Sequence, residues 1–549
     1  MTECPIVETV YGKVKGRACP LAKAQEAKQV FRYSRIPFAK PPVGDLRFEP
    51  PEKCDSWDSV KECTKPEPIP MQVHELGHQF SSYLPDIREF ESDMDASVNE
   101  DCLYLRVYTA SPSNAANMPV MVWFYGGGFQ FGESGFYPGQ VLCGLHDVVL
   151  VVPNYRVNVF GFLSLGKATS YSGNVGMLDQ LMALRWVQDN IKNFGGNSDN
   201  VTIFGESAGA TSVALHLLSP LSKGLFHKAI QHSGTVRLPG LVKEDNSVVL
   251  KMFLQHLKIA ETDPEAIVQK LKSLPAQEVA EAAVKGLAKM QTFGAVVDGK
   301  FLPKPPENLL KDGAAATVPS IVGCNNSETS GMLTIYNPPQ FFEGFSEEEG
   351  SRMCKMWIPL LCRQVDQFDE AVGLVKSSYA KDFSANDKLR WSKIPCQFQR
   401  DVFFTVPALE QVRNQSRTGQ PSYLYFMTQR MKCHHDADFL MEMKKKPDFC
   451  ECDHSDDFVY TFGKPLMNGK MSKKCKFSSD EVALSKAWMT YLLNFATTGN
   501  PNKGKKVDVE WPQYDFDSQR HLNVRFPLAV SDHLIRDRYK LLNKTLPAL

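Results

Sequence analysis

The chain has 549 residues, 43% of them hydrophobic, enough for a large buried core. Its 62 Lys and Arg residues balance 62 Asp and Glu, so the formal net charge is zero and gives no reason to expect nucleic acid or an anionic membrane as a partner. No apolar run reaches the roughly 18 residues that a membrane-spanning helix needs.

The opening residues, "MTECPIVETVYGKVKG", carry no apolar secretory core and read as short strands. The expected location is intracellular, or secreted if Met1 is not where the natural chain begins. Proline-rich loops follow ("PFAKPPVGDLRFEPP"). Three apolar, β-branched runs then have strand length: "PVMVWFY" (119–125), "DVVLVVPNY" (147–155) and "NVTIF" (200–204). Between the last two, Leu178, Leu181, Met182, Leu184, Val187 and Ile191 recur at helical spacing, and the pattern stops at Gly195–Gly196. Strand, helix, strand predicts a βαβ unit in a largely parallel sheet. A second helix follows residue 207 and stops at Pro220. Residues 347–420 read as mostly helical, and 480–497 carry a clear helical pattern. With no internal repeat and no linker, residues 1–549 read as a single α/β domain with insertions.

The 14 cysteines are irregularly spaced and do not form a dense disulfide framework. Sequons occur at Asn200, Asn325, Asn414 and Asn543, two of them beside segments expected to be buried. The densest basic run, "KKK" at 444–446, reads as a solvated loop.

The stretch "NVTIFGESAGATSVALHLLS" joins a strand to a helix through Gly205, Glu206, Ser207, Ala208 and Gly209. That is the setting a nucleophile elbow requires. A sharp turn crowds the backbone, so only hydrogen fits at Gly205 and Gly209, and Ser207 Oγ is lifted above the sheet with helix amides aimed at it. Upstream, "WFYGGGFQFG" ends a strand with Gly126–Gly128, where backbone N–H groups can approach a ligand. Read alone, this glycine run is equally a flexible hairpin loop. Beside an elbow it is the expected second half of an oxyanion hole, with the Ala208 N–H as the other donor.

Together with "EDCLYLRVYT", "NYRVNVFGFL", "GNVGMLDQLMALRWVQDNIKNFGGN", "GCNNSET", "DHSDDFVYTFGKPL" and "WPQY", these segments resemble the type-B carboxylesterases, the branch of the α/β-hydrolase superfamily that includes cholinesterases. The resemblance spans nearly the whole chain. It implies an α/β-hydrolase fold: a large, mostly parallel central sheet flanked by helices, with N-terminal antiparallel strands and helical insertions. It also implies a serine hydrolase that cleaves carboxylic esters through an acyl-enzyme, with broad specificity for small-molecule esters. By the same resemblance the acid is Glu328, in "GCNNSE", and the base is His454, in "DHSDDFVY"; Glu307, Asp312, His434 and His435 are the nearby alternatives. Gly127, Gly128 and Ala208 would form the oxyanion hole. Glu206, Ser233 and the ion pairs Arg47–Glu100 and Arg156–Asp179 would support the site, the latter pair buried. Trp186 is expected in the core. No metal or cofactor is implied.

Two departures stand out. Tyr125 precedes the glycines where family members often have histidine, as it does in cholinesterases. Cys102, in "EDCL", lacks the expected partner, since Met71 stands where a cysteine would be sought; Cys63 is a substitute. No Trp lies in 75–100, so a choline site of the cholinesterase kind is not expected. The sequence also allows three other readings. Cys433, His434, His435, Asp438, Cys450, Cys452 and His454 offer zinc-ligand chemistry, although C-x-C is tighter than usual. A catalytically inactive adhesion or scaffold relative, or a lipase-like esterase for long acyl chains, would share the fold.

Overall fold

The computed structural model describes residues 4–20, 26–73, 97–285, 292–331, 340–436, 446–467 and 475–549. Among these, eleven strands form one sheet: β1 (Arg17–Ala18), β2 (Phe31–Pro37), β3 (Tyr104–Thr109), β4 (Met118–Phe124), β5 (Val149–Pro153), β6 (Gly196–Glu206), β7 (Lys228–His232), β8 (Ser320–Asn325), β9 (Ser422–Met427), β10 (His521–Val524) and β11 (Ala529–Ser531). Their order is β11-β10-β9-β8-β7-β6-β4-β5-β3-β2-β1. The run from β5 through β10 is parallel. The N-terminal strands β1 to β3 pair antiparallel, and β3 joins the parallel run by antiparallel pairing with β5. Residues Ile6–Thr9 and Gly12–Lys15 make a separate antiparallel ribbon beside this sheet.

Both faces of the central strands are covered, which is why these strands read as continuous apolar runs. Side-chain alternation splits β4 between two cores. Met121 and Trp123 face one core with Leu150, Val152, Phe204 and Trp488. Val120, Val122 and Phe124 face the other with Val149, Val151, Ile203, Leu184 and Trp186. Two of the covering helices are α1 (Val175–Asn190) and α2 (Ala208–Leu218). Trp186, on α1, is buried as expected.

The expected boundaries shift in two places. β6 begins four residues before the apolar run, because Gly196 already pairs with Met118 before an irregularity restores register at Val201. α1 begins at Val175 and gives way to a 3-10 turn that closes on Gly195 at φ +88°. Arg47 grips Glu100 through Nε and Nη2 at 2.6 and 2.7 Å. Arg156 binds Asp179 through its backbone N–H, Nε and Nη2 at 3.0, 2.8 and 2.7 Å, fully buried. This pair fixes the start of the loop after β5 to α1.

Two sequence expectations are corrected. Lys446 is not solvated: it is 1% exposed, because two buried carboxylates surround its ammonium. Cys102 and Cys63 are both buried free thiols rather than partners. The chain instead joins Cys433 to Cys475. No described helix is long and apolar enough to cross a membrane.

Candidate active site

Three strand ends converge on one place. β6 ends at Glu206, and Ser207 turns the chain into α2 with φ +57° and ψ −123°, strain that a surrounding scaffold must hold. The scaffold is visible: the Ser207 N–H donates to the carbonyl of His232, at the end of β7, at 2.9 Å. The two elbow glycines are required by contact. A Cβ on Gly209 would lie 1.9 Å from the Phe124 carbonyl oxygen, and one on Gly205 would lie 2.5 Å from the Gly209 backbone. β6, β4 and α2 can approach this closely only because both positions lack side chains.

The loop after β4 supplies donors. Gly127 and Gly128 both have positive φ, at +102° and +62°. A Cβ on Gly127 would strike the Phe131 carbonyl at 2.1 Å, whereas one on Gly128 would meet nothing within 4 Å. The N–H groups of Gly127, Gly128 and Ala208 donate to no other described residue. Unpaired backbone donors are normally satisfied, so three of them beside a strained serine fit an acceptor supplied by substrate.

The residues expected as acid and base, Glu328 and His454, arrive from β8 and from the long loop after β9. Glu328 lies three residues beyond β8, fully buried, where Oε1 accepts the Asn325 N–H at 2.8 Å and Oε2 contacts His454 Nδ1 at 2.5 Å. His454 is part-exposed, its side chain at 21%. The Phe404 ring packs on it at 4.9 Å between centroids. His454 Nε2 lies 3.1 Å from Glu206 Oε1, which also accepts the Ser455 hydroxyl at 2.7 Å. Among the hydrogen bonds of the described residues, none joins Ser207 Oγ to His454.

The charges explain one another. Burial alone would lower the His454 pKa, but the Glu206 and Glu328 carboxylates outweigh it and push it up to about 10. Burial raises Glu206 to about 7 against the pull of His454. Burial raises Glu328 as well, again opposed by His454. The two carboxylates thus favour the imidazolium, the Glu206 charge more than the Glu328 charge, so moving Nε2 off Glu206 favours the neutral ring.

Ser233 is fully buried at φ +52° and follows the β7 end. Its hydroxyl completes no hydrogen bond, yet it lies close enough to Glu328 to favour the charged carboxylate, and so acts as a nearby dipole. The competing residues fall elsewhere. Glu307 and Asp312 sit on or just after a short helix, both exposed. His434 and His435 are buried, with His434 Nδ1 4.0 Å from Asp456 Oδ2. The zinc set is dispersed: Cys433 is in a disulfide, Cys450 and Cys452 are free thiols, Asp438 lies outside the described residues, and no metal-ligand cluster occurs among the described residues.

Sequence reasoning gave no role for Asp453, Phe404, Asp457 and His232. Asp457 Oδ2 lies 3.3 Å from His232 Nδ1, and Tyr425 Oη lies 2.9 Å from that nitrogen and 3.2 Å from that oxygen, all buried behind the site. Only adjacency could have signalled Asp453 and His232, which neighbour His454 and Ser233 in the chain.

The Carboxylesterase family model matches residues 3–542. The chain is 36% identical to the human protein "Cocaine esterase" over 99% of this chain and 92% of that protein. It is 34% identical to the rat "Pyrethroid hydrolase Ces2e" over 99% of this chain and 90% of that one, and 33% identical to human "Carboxylesterase 5A" over 100% and 90%. With the parallel sheet, the strand–turn–helix at Ser207 and the full-length match in hand, this chain belongs to the carboxylesterase family and is a carboxylic ester hydrolase of the α/β-hydrolase fold.

Proposed function

We propose that Ser207 is the nucleophile, His454 the general base and Glu328 the acid that orients it, with the Gly127, Gly128 and Ala208 amides as the oxyanion hole. The observation that carries this reading is the strained Ser207 beside three undonated N–H groups, with His454 held by Glu328 at 2.5 Å. For attack, His454 leaves Glu206 and releases its Nε2 proton to solvent, and the neutral Nε2 takes the Ser207 hydroxyl proton as Oγ adds to the ester carbonyl. Negative charge grows on the carbonyl oxygen, and the three amides stabilise it. Glu328 stabilises the imidazolium without taking its proton. His454 then gives the proton to the departing alkoxide, leaving an acyl-Ser207. Water, deprotonated by the same imidazole, repeats the addition and releases the acid. Glu206 and Ser233 support the charges, and Arg156–Asp179 fixes the loop behind the site.

The substrates we infer are small-molecule esters of broad acyl and alcohol structure. Relatives named for cocaine and for pyrethroids, two dissimilar esters, support that breadth. p-Nitrophenyl acetate hydrolysis with Ser207→Ala as control tests the assignment. The variant should lose activity by about a thousandfold or more. Equal rates would sink the triad, and a p-nitrophenyl ester series of rising chain length would reveal a narrow specificity if there is one.

A further inference from the structure

We infer that Lys446 is a positioning residue for the base, gripped from the far side by the Cys433–Cys475 disulfide; the inference rests on reading His454 as that base. The Lys446 ammonium is 3.1 Å from Asp453 Oδ2 and 3.4 Å from Asp456 Oδ1. Burial would discharge it, but these carboxylates outweigh burial and keep it cationic. Asp453 is a junction. Its Oδ1 accepts the His454 N–H at 2.8 Å, and its Oδ2 accepts the Gly331 N–H at 2.7 Å, three residues after Glu328. Its carbonyl accepts from Asn325 Nδ2 at 2.8 Å, and its N–H donates to Asp456 Oδ2 at 2.9 Å. One carboxylate thus ties the acid's loop to the base's loop, and Lys446 neutralises it.

The other end of the chain of contacts is covalent. The Lys446 N–H donates to the His434 carbonyl at 3.0 Å, and His434 follows Cys433. Cys475, its partner 42 residues on, lies just before Ser478, the N-cap of the 20-residue helix Ser479–Thr498. His454 lies within the loop that the disulfide closes. Without the cation, Asp453 and Asp456 repel in a buried site and must move or share a proton, which shifts the amide of His454.

Steady-state kinetics normalised to active sites, titrated with a p-nitrophenyl phosphonate ester, provide the test. Lys446→Met should lower kcat per titrated site about 10- to 100-fold while KM changes by less than about threefold, the mark of a misplaced base. Lys446→Arg, which keeps the charge and the donors, should recover most of the loss. Dithiothreitol treatment of the wild type should lower kcat in the same sense, reversibly. There the dithiol gives two electrons and two protons, the Cys433–Cys475 bond opens to two thiols, and the reagent closes to its cyclic disulfide. Unchanged kcat per site in Lys446→Met, or an equal loss in Lys446→Arg, would overturn the positioning role. If Lys446→Met does not fold, Lys446→Arg decides: kcat well below wild type per site overturns the role. An unchanged kcat after mapped reduction would remove the disulfide from the proposal. Phosphonate labelling of Ser207 and its loss in His454→Ala report on the base assignment separately.

Discussion

His454 Nε2 lies 3.1 Å from Glu206 Oε1, so the ring proposed to serve Ser207 rests against the carboxylate of the residue preceding it. Two carboxylates on opposite edges of one imidazole stabilise its cation and push the His454 pKa up to about 10.

A pH dependence follows. Glu206→Gln removes one of the charges that raise His454, so the His454 pKa falls and the acid limb of kcat/KM moves to lower pH. Stability has its own sign. The folded pKa of His454 is raised from 6.5 to about 10, so its contribution is complete below 6.5 and is lost as pH rises through about 10. Glu206→Gln should flatten that loss in the window above about 7, where Glu206 is ionised. Urea unfolding of both proteins across that window, with pH–rate profiles, checks both statements.

Asp179→Asn leaves the Arg156 guanidinium buried opposite a neutral group. A loss of about 3–5 kcal/mol is expected. The double replacement Arg156→Met/Asp179→Leu should cost less than Asp179→Asn, since no uncompensated charge remains. Guanidinium unfolding of the three proteins gives the comparison, and a larger loss in the double variant would contradict it.

The two glycine positions separate folding from chemistry. Gly209→Ala drives a methyl to 1.9 Å from a backbone carbonyl between strand and helix, and soluble expression should collapse. Gly128→Ala meets no atom within 4 Å and pays only for its φ of +62°, about 1–2 kcal/mol. It should fold and still lose kcat, because Gly128 carries one of the proposed oxyanion donors. Circular dichroism and turnover measured together distinguish the two.

Tyr125 stands before the glycines, and its hydroxyl donates to the Tyr155 carbonyl at 2.8 Å and accepts the Tyr155 N–H at 3.0 Å. The Tyr155 hydroxyl returns the contact to the Tyr125 carbonyl at 2.7 Å, and the rings stack at 4.3 Å. Tyr125→Phe should cost about 1–3 kcal/mol through two unpaired backbone groups. It should also lower kcat by loosening the glycine loop. A melting temperature equal to wild type would show that the lock is dispensable.

The sequence alone determined the local physics. β-branched apolar runs make β4, β5 and β6, helical spacing makes α1, and the glycines around Ser207 make a turn no other residue could occupy, because each rule acts within a few residues. Glu328 and His454 were readable only through the family resemblance; they lie 126 positions apart, and no local rule joins them. Tertiary packing decided the rest. It set Glu206 against His454, buried Lys446 where a run of three lysines reads as solvated, and paired Cys433 with Cys475 rather than offering it to a metal. Each of these depends on which strand ends meet, and that is fixed by the burial of the whole sheet rather than by neighbours in the chain.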